Sequence, residues 1–413
     1  MKTTFVERWR RLGLALGAGG LALAAGNAHA LLGDRLELYA NEAFAHDDNI
    51  YRLADAADTG ALLGSPQRGD RYRTTRVGFN LRLPVSLQRI EAGAAKTQTR
   101  HQRFKALDLD GYDSRAVWHW QLDDLAVGEL GGTSTRSLGS LADRVAGAQS
   151  QVPNFVSTRR LFARASNSPS ARWRLRAEGE RLTQRNSADE RKPNDLVAAG
   201  GELGIAYTTP PGNSVGLLRR HTRGVLAQSL LLGGLPVDNS FRQNLAALTL
   251  DWSPSALTQL RARAGHLRRT HDALPQRDFG SPMHELTLEW KPSALLRAQI
   301  GSRRDLSTNE DANIGAVLVS AVEAQLDWRP SEPWNLALRA ERGRRTYLGD
   351  PAEALGLALA RRERASAASL SIGWRLPSHV AVALEWRHER RDGGDAASRY
   401  AYRTVSASLR LAF

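Results

Sequence analysis

The chain has 413 residues, with 57 Lys and Arg against 43 Asp and Glu, a formal net charge of +14 and no cysteine. Without cysteine no disulfide framework can hold it, and a mean hydropathy of −0.41 excludes a bundle of apolar membrane helices. It is too long for one ordinary sandwich and shows no linker or composition break. A soluble multidomain protein, a solenoid and one large barrel therefore have to be told apart by periodicity.

Met1 to Arg11 carries Lys2, Arg8, Arg10 and Arg11; Leu12 to Ala25 is almost wholly Leu, Ala and Gly, and Asn27-Ala28-His29-Ala30 follows. A charged head, a short apolar run and a small-x-small site predict a secretory signal cleaved after Ala30. The apolar run is too short for a stable span. Residues 31–413 then read as a single domain, opening on an alternating strand from Leu36 to Phe44. The cluster His46-Asp47-Asp48-Asn49 comes next. Its chemistry suits a cation site or an acid/base pair, whereas its position suits Asx turns that cap a strand at a loop entry, the favoured reading.

Weak hairpin signals follow. Leu81 and Leu83 precede Pro84, Trp118-His119-Trp120 precedes Asp123-Asp124, Ser168-Pro169-Ser170 precedes Arg172, and Ile205 and Tyr207 precede Pro210-Pro211-Gly212-Asn213. The last opens the string Gly212-Asn213-Ser214-Val215-Gly216. A nucleophile elbow needs a helix after the serine, but an alternating stretch follows, so a turn is expected.

From there the pattern sharpens. Leu248, Leu250 and Trp252 lead into Ser253-Pro254-Ser255, and Leu286, Leu288 and Trp290 into Lys291-Pro292-Ser293. Ala324, Leu326 and Trp328 lead into Arg329-Pro330-Ser331, and Leu370, Ile372 and Trp374 into Arg375-Leu376-Pro377-Ser378. Each reads as a strand whose apolar face ends in Trp, a short Pro-Ser turn, and another strand. A solenoid needs no Trp at every turn; a membrane-interface girdle does, because indole is apolar with one polar handle. Val405, Ala407, Leu409, Leu411 and Phe413 alternate with Ser406, Ser408, Arg410 and Ala412 in a terminal strand ending on an aromatic, as outer-membrane barrels commonly do. Turns near residues 84, 123, 169, 210, 254, 292, 331 and 377 imply an all-β, transmembrane, antiparallel up-and-down barrel of about 18 strands (16–20), with short periplasmic turns and longer extracellular loops.

Trp252, Trp290, Trp328, Trp374 and Phe413 share the lipid face. The opposite face carries Asp251, Glu285, Glu289, Glu323 and Asp327 in strands running down to a turn. In strands running up it carries Arg172, Arg174, Arg176, Arg261, Arg263, Arg297, Arg303, Arg339, Arg345 and Arg387, with Glu178, Glu341 and Glu385 among them. Neighbouring strands thus present opposite charges, with pairs such as Arg297 with Glu285 or Glu289 holding register. The arginine excess would attract an anionic solute. A pI near 10.7 agrees, and arginine at period 2 through an exported chain does not suit nucleic-acid binding. No metal, cofactor or catalytic motif is legible: the histidines are scattered and there is no His-Glu-x-x-His.

Asp47-Asp48-Asn49-Ile50-Tyr51-Arg52-Leu53 resembles the DDNxxRL opening of the exosortase-associated EpsL family. Tyr112, followed by Ala116-Val117-Trp118-His119-Trp120-Gln121-Leu122, is similar to that family's tyrosine-then-AAWNWQL segment, with Val117 and His119 replacing Ala and Asn. The resemblance covers the N-terminal third. It implies an outer-membrane barrel of a Gram-negative bacterium serving exopolysaccharide biosynthesis, with outer-membrane lipid, exopolysaccharide, barrel-assembly machinery and other export components as partners. A conduit for an acidic polysaccharide is the leading expectation. The alternatives are a plugged, lectin-like surface anchor using loops near Ala54–Asp70, Gly139–Gln151 and Tyr347–Arg361, and a hydrolase or lyase using His46, Asp47 or Asp48.

Overall fold

The computed structural model describes residues 33–142, 144–145, 148–149, 152–232, 235–307, 316–349, 361–376, 379–393 and 399–413. The predicted signal, residues 1–30, lies outside the described residues. Alternating side chains drive nearly everything else into strands of one 18-stranded sheet. They are β1 (Leu36–Asp47), β2 (Asp70–Val85), β3 (Gln88–His101), β4 (Leu109–Leu122), β5 (Ala126–Leu138), β6 (Phe155–Asn167), β7 (Trp173–Asn186), β8 (Leu196–Thr208) and β9 (Ser214–Leu226). The second half comprises β10 (Phe241–Ser255), β11 (Thr258–His271), β12 (Phe279–Ser293), β13 (Leu296–Ser307), β14 (Ala316–Trp328), β15 (Trp334–Leu348), β16 (Arg362–Arg375), β17 (Val380–Asp392) and β18 (Tyr400–Ala412).

Each strand pairs antiparallel with its sequence neighbours, and β1 also pairs with β18, from Tyr39 opposite Ala412 to Asp47 opposite Thr404. Phe413 completes the seam: its N–H donates to Leu38 O at 2.8 Å, and Leu38 N–H donates to Phe413 O at 2.9 Å. The sheet is therefore a closed transmembrane barrel without free edges. Among the described residues no helix is long and apolar enough to cross a membrane.

The connections alternate as expected. At one end, turns as short as Ser86–Leu87 join the strands; at the other, longer loops such as residues 48–69 and 187–195 do so. Ser86 and Asp123 take positive φ (54° and 45°) in two short turns, and Gly212 takes φ 90° in a third. Ser214 is then the first residue of β9 rather than a nucleophile on a helix. The Pro-Ser expectation needs correcting. Pro84, Pro254 and Pro292 belong to the last rungs of β2, β10 and β12, and the turns follow at 86–87, 256–257 and 294–295. The ladders shift register between Trp252 and Ser255 and between Trp290 and Ser293, and a bulge at a strand end tolerates a residue without N–H. Pro330 does lie in a turn, after β14; Pro377 and Ser378 lie outside the described residues.

Trp252, Trp290, Trp328 and Trp374 are 42–49% exposed and stand on the outward face at the short-turn end. Trp118, Trp173 and Trp334 join them there, and Trp334 stacks on Trp374 with ring centroids 5.9 Å apart. Trp120, also outward, lies over Gly128 of β5, where a Cβ would overlap the indole. Gly128→Leu should displace Trp120 and destabilise the barrel by about 1–3 kcal/mol. A lower urea midpoint of the refolded protein, read from Trp fluorescence, checks this; an unchanged midpoint would contradict it.

Candidate functional site: the charged inner wall and the first extracellular loop

Register fixes which side chains look inward, because the outward face is the one carrying exposed Leu, Val and Trp. By that test Arg174, Arg176, Arg261, Arg263, Arg297, Arg303, Arg339, Arg345 and Arg387 all stand on the inner wall. Arg172 does not. It lies in the turn before β7, where its Nη1 donates to Tyr207 Oη of the outward face at 3.4 Å.

Most inner arginines meet carboxylates. Arg297 Nε donates to Glu289 at 2.7 Å, Arg263 lies 3.0 Å from Glu285, Arg387 lies 3.0 Å from Glu389, and Arg303 reaches across β14 to Glu341 at 3.0 Å. Sign alternation is incomplete, however: Glu323 faces Glu341, and Glu178 faces Glu202. Arginines satisfy these like-charge rungs from the other side, Arg303 for Glu341 from across β14 and Arg220, directly opposite on β9, for Glu202 at 2.7 Å. Pairs of this kind on a solvated wall contribute about 0.2–1 kcal/mol each, enough to disfavour a register slip but little more.

Within the wall Arg115, Arg174, Arg261 and Arg339 have no carboxylate within ion-pair distance among the described residues, and neither does Arg375 at the last rung of β16. The reason is local. Arg261 sits directly opposite Asp251, but Gln259 donates to that carboxylate at 3.0 Å. Arg339 faces Gln325 and Ser369, and Arg174 faces Ala206. The first four are spread around the wall on β4, β7, β11 and β15.

The wall's densest charge array lies on β2–β7, and only Arg174, Arg176 and Glu178, at its β7 end, are among the inner-wall residues expected from the sequence. Glu91 takes Arg89 at 3.0 Å and His119 at 3.3 Å; the other His119 nitrogen lies 3.3 Å from Glu129. Glu129 in turn holds Arg164 at 3.3 Å, and Arg164 reaches Glu178 at 3.1 Å, which also takes Arg176 at 2.9 Å. His119 therefore bridges two strands' carboxylates. Two recesses of about 520 and 580 Å³ open beside this array, one by Arg76, Arg82 and Arg115 and the other by Arg89, Arg174 and Arg176. Period 2 in Arg89-x-Glu91 and His119-x-Gln121 was the available signal.

The residues quoted for the family resemblance build the first loop. Asp47 is 1% exposed and accepts from Asn49 N–H at 2.9 Å, from Arg52 Nη1 and Nη2 at 2.8 Å each, and from Thr404 Oγ1 at 2.9 Å. Asn49 exchanges hydrogen bonds with the Leu53 backbone at 2.9 Å in both directions and donates to Ala401 O at 3.1 Å. Asp48 accepts from Arg403 N–H at 2.7 Å, and the Arg52 guanidinium lies 3.4 Å from the Tyr402 ring centroid. This is the strand-capping role: an Asx turn plus a clasp onto β18. His46 and Asp47, adjacent in a strand, point to opposite sides of the wall and cannot act as an acid/base pair on one ligand. Tyr112, Trp118 and Trp120 are outward-facing wall residues, whereas His119 faces the lumen.

The clasped loop packs Ile50, Tyr51 and Leu53 against Leu107, with Leu138 and Leu141 from the β5–β6 side. Beneath it a cavity of about 380 Å³ is lined by inward residues including Tyr72, Thr74, Glu389, Arg391 and Tyr402. One side of the extracellular mouth is thus covered. Of the other loops proposed for polymer contact, residues 143, 146–147, 150–151 and 350–360 lie outside the described residues.

A closed strand wall, an aromatic girdle and a charged interior define a porin-like transmembrane β-barrel. A family model described as "Putative beta-barrel porin 2" matches residues 253–413, from the end of β10 to the C-terminus. No curated protein matches the chain. Among solved structures it is similar to Pseudomonas aeruginosa OccK2 (OpdF) in complex with glucuronate, at 11% identity and TM-score 0.49, covering 92% of this chain and 99% of that one. OccK9 (OpdG) of the same organism gives 13% identity, TM-score 0.47 and coverages of 92% and 98%. The P. aeruginosa siderophore receptor PirA gives 10%, 0.44, 92% and 80%.

Asp47→Ala should unclasp the first loop by leaving Arg52 half-buried without its partner, at a cost of about 2–4 kcal/mol. Limited proteolysis should then cut within residues 48–69 while the barrel keeps its anomalous gel migration. Equal protease resistance of wild type and variant would refute the clasp.

Proposed function

We propose that the protein is an outer-membrane channel of a Gram-negative bacterium, serving exopolysaccharide biosynthesis as a conduit for an acidic polysaccharide. The observation that carries this reading is the set of guanidiniums within the wall that have no carboxylate partner, Arg115, Arg174, Arg261 and Arg339. On a wall that otherwise balances its arginines, unpaired and always-charged groups favour a passing carboxylate or sulfate. Because they are spread around the wall, a flexible polymer meets several weak sites in turn rather than one tight trap. The EpsL-like opening segment supplies the exopolysaccharide assignment, and export components and the barrel-assembly machinery would be the partners.

A second reading is a surface anchor that holds polymer with its loops over a plugged lumen. The packed β1–β2 and β5–β6 loops over one side of the mouth favour it. Planar-bilayer recording of the refolded chain separates the two. The conduit predicts an anion-selective pore that polygalacturonate fragments block transiently from one side. Substituting Arg174, Arg261 and Arg339 together by Gln should cut the anion-to-cation permeability ratio several-fold, by removing screened lumen charges. A silent or cation-selective wild-type pore would sink the conduit and favour the anchor.

A further inference from the structure

The outward face of the barrel changes chemistry along its length. Above the apolar band, most strands carry an outward arginine at the long-loop end, Arg159 on β6, Arg181 on β7, Arg219 on β9 and Arg268 on β11 among them, whereas β1, β4, β8, β12 and β14 carry none. Outward carboxylates at this level are few among the described residues. Glu42 is taken by Arg73, and Asp110 by Arg100 at 2.8 Å.

The concentration peaks on β15–β17. Arg342, Arg344, Arg362, Arg364 and Arg390 are all exposed there and share the face of Leu338, Leu370 and Trp386. Arg344 stands directly opposite Arg364 in the ladder, and Ser366 stands opposite both Arg342 and Arg390. Like charges on one rung repel, so this arrangement is unfavourable by itself. Asp392 lies opposite Arg364, but its carboxylate is engaged by Arg399 at 3.6 Å. None of the five arginines has an ion pair among the described residues.

We infer that this patch binds the phosphate groups of the outer-leaflet glycolipid. Five exposed guanidiniums stacked just above a hydrocarbon-facing surface match a headgroup that carries phosphates at one end and acyl chains at the other. The forked geometry of arginine suits phosphate oxygens bidentately, and the adjacent apolar band receives the chains. A free anion would gain the first interaction and not the second. The inference depends on the barrel spanning a membrane with this end outermost, and not on what passes through its lumen.

The test uses the full refolded chain in detergent micelles, titrated with bis-phosphorylated lipid A and with its dephosphorylated form, binding being read by native mass spectrometry. Bis-phosphorylated lipid A should bind, with the dephosphorylated form at least about tenfold weaker. R344Q/R364Q should lose about tenfold in affinity, and R344K/R364K, which keeps the charge without the fork, should fall between them. All variants alter exposed side chains and should retain β-sheet circular dichroism. Equal binding of the two lipids, undiminished binding by R344Q/R364Q, or full displacement by millimolar inorganic phosphate would each overturn the inference.

Discussion

Backbone N–H and C=O groups cannot go unpaired in hydrocarbon, and the seam between β1 and β18 is where this chain meets that demand. Seventeen strand junctions follow from sequence order alone, but the last requires the two ends of the chain to meet in register. The reciprocal bonds between Leu38 and Phe413 close the short-turn end of the seam. At the other end Asp47, Asp48 and Asn49 reach Thr404, Arg403 and Ala401. The first loop is thus anchored on the closing strand. Its fold over one side of the mouth is a consequence of closure as much as of function.

Closure also forces the wall to be two-faced. Side chains at alternate positions must satisfy lipid on one side and water on the other. A lumen this wide cannot be filled by its own side chains, so its polar residues need partners along the wall. Chains such as Arg89–Glu91–His119–Glu129–Arg164–Glu178 provide them across successive strands. Against that balanced background an unpaired guanidinium stands out. The total count of arginines says less, because most are spent on register.

Legibility followed this division. Strand existence, the facing of Trp252 or Arg263, and the order of short and long connections come from period-2 alternation and punctuation, which are local. Pro254 misled by one turn because a bulge lets a proline sit in the last rung, and bulges leave little trace in a single strand's sequence. Partnering was legible only in part: the pair of Arg297 with Glu289 is readable from the alternation and forms at 2.7 Å, but other pairs are not. Arg261 and Arg263 look alike in sequence, yet one is free and the other lies 3.0 Å from Glu285, because Gln259 occupies Asp251. Loop devices were missed for a similar reason. His101 N–H donates to Asp108 at 2.7 Å and His271 N–H to Asp278 at 2.8 Å, the same seven-residue clasp in two loops, each around one buried leucine, Leu107 or Leu274, with no period-2 pattern to flag it.

The two ends of the outer face now differ in kind. Indoles occupy the short-turn end, where Trp118, Trp290 and Trp328 present apolar rings with one polar handle to a headgroup layer. Guanidiniums occupy the long-loop end on most strands. A symmetrical bilayer would offer no reason for that difference, since the same headgroups would meet both rims. An asymmetric membrane whose outermost leaflet is the more anionic would stabilise one orientation and penalise its inverse, which would place indoles among the densest charges. The same net charge that suggests an anion path inside the barrel is thus partly an outside property. Any account of lumen selectivity has to begin by subtracting the arginines that never face the lumen.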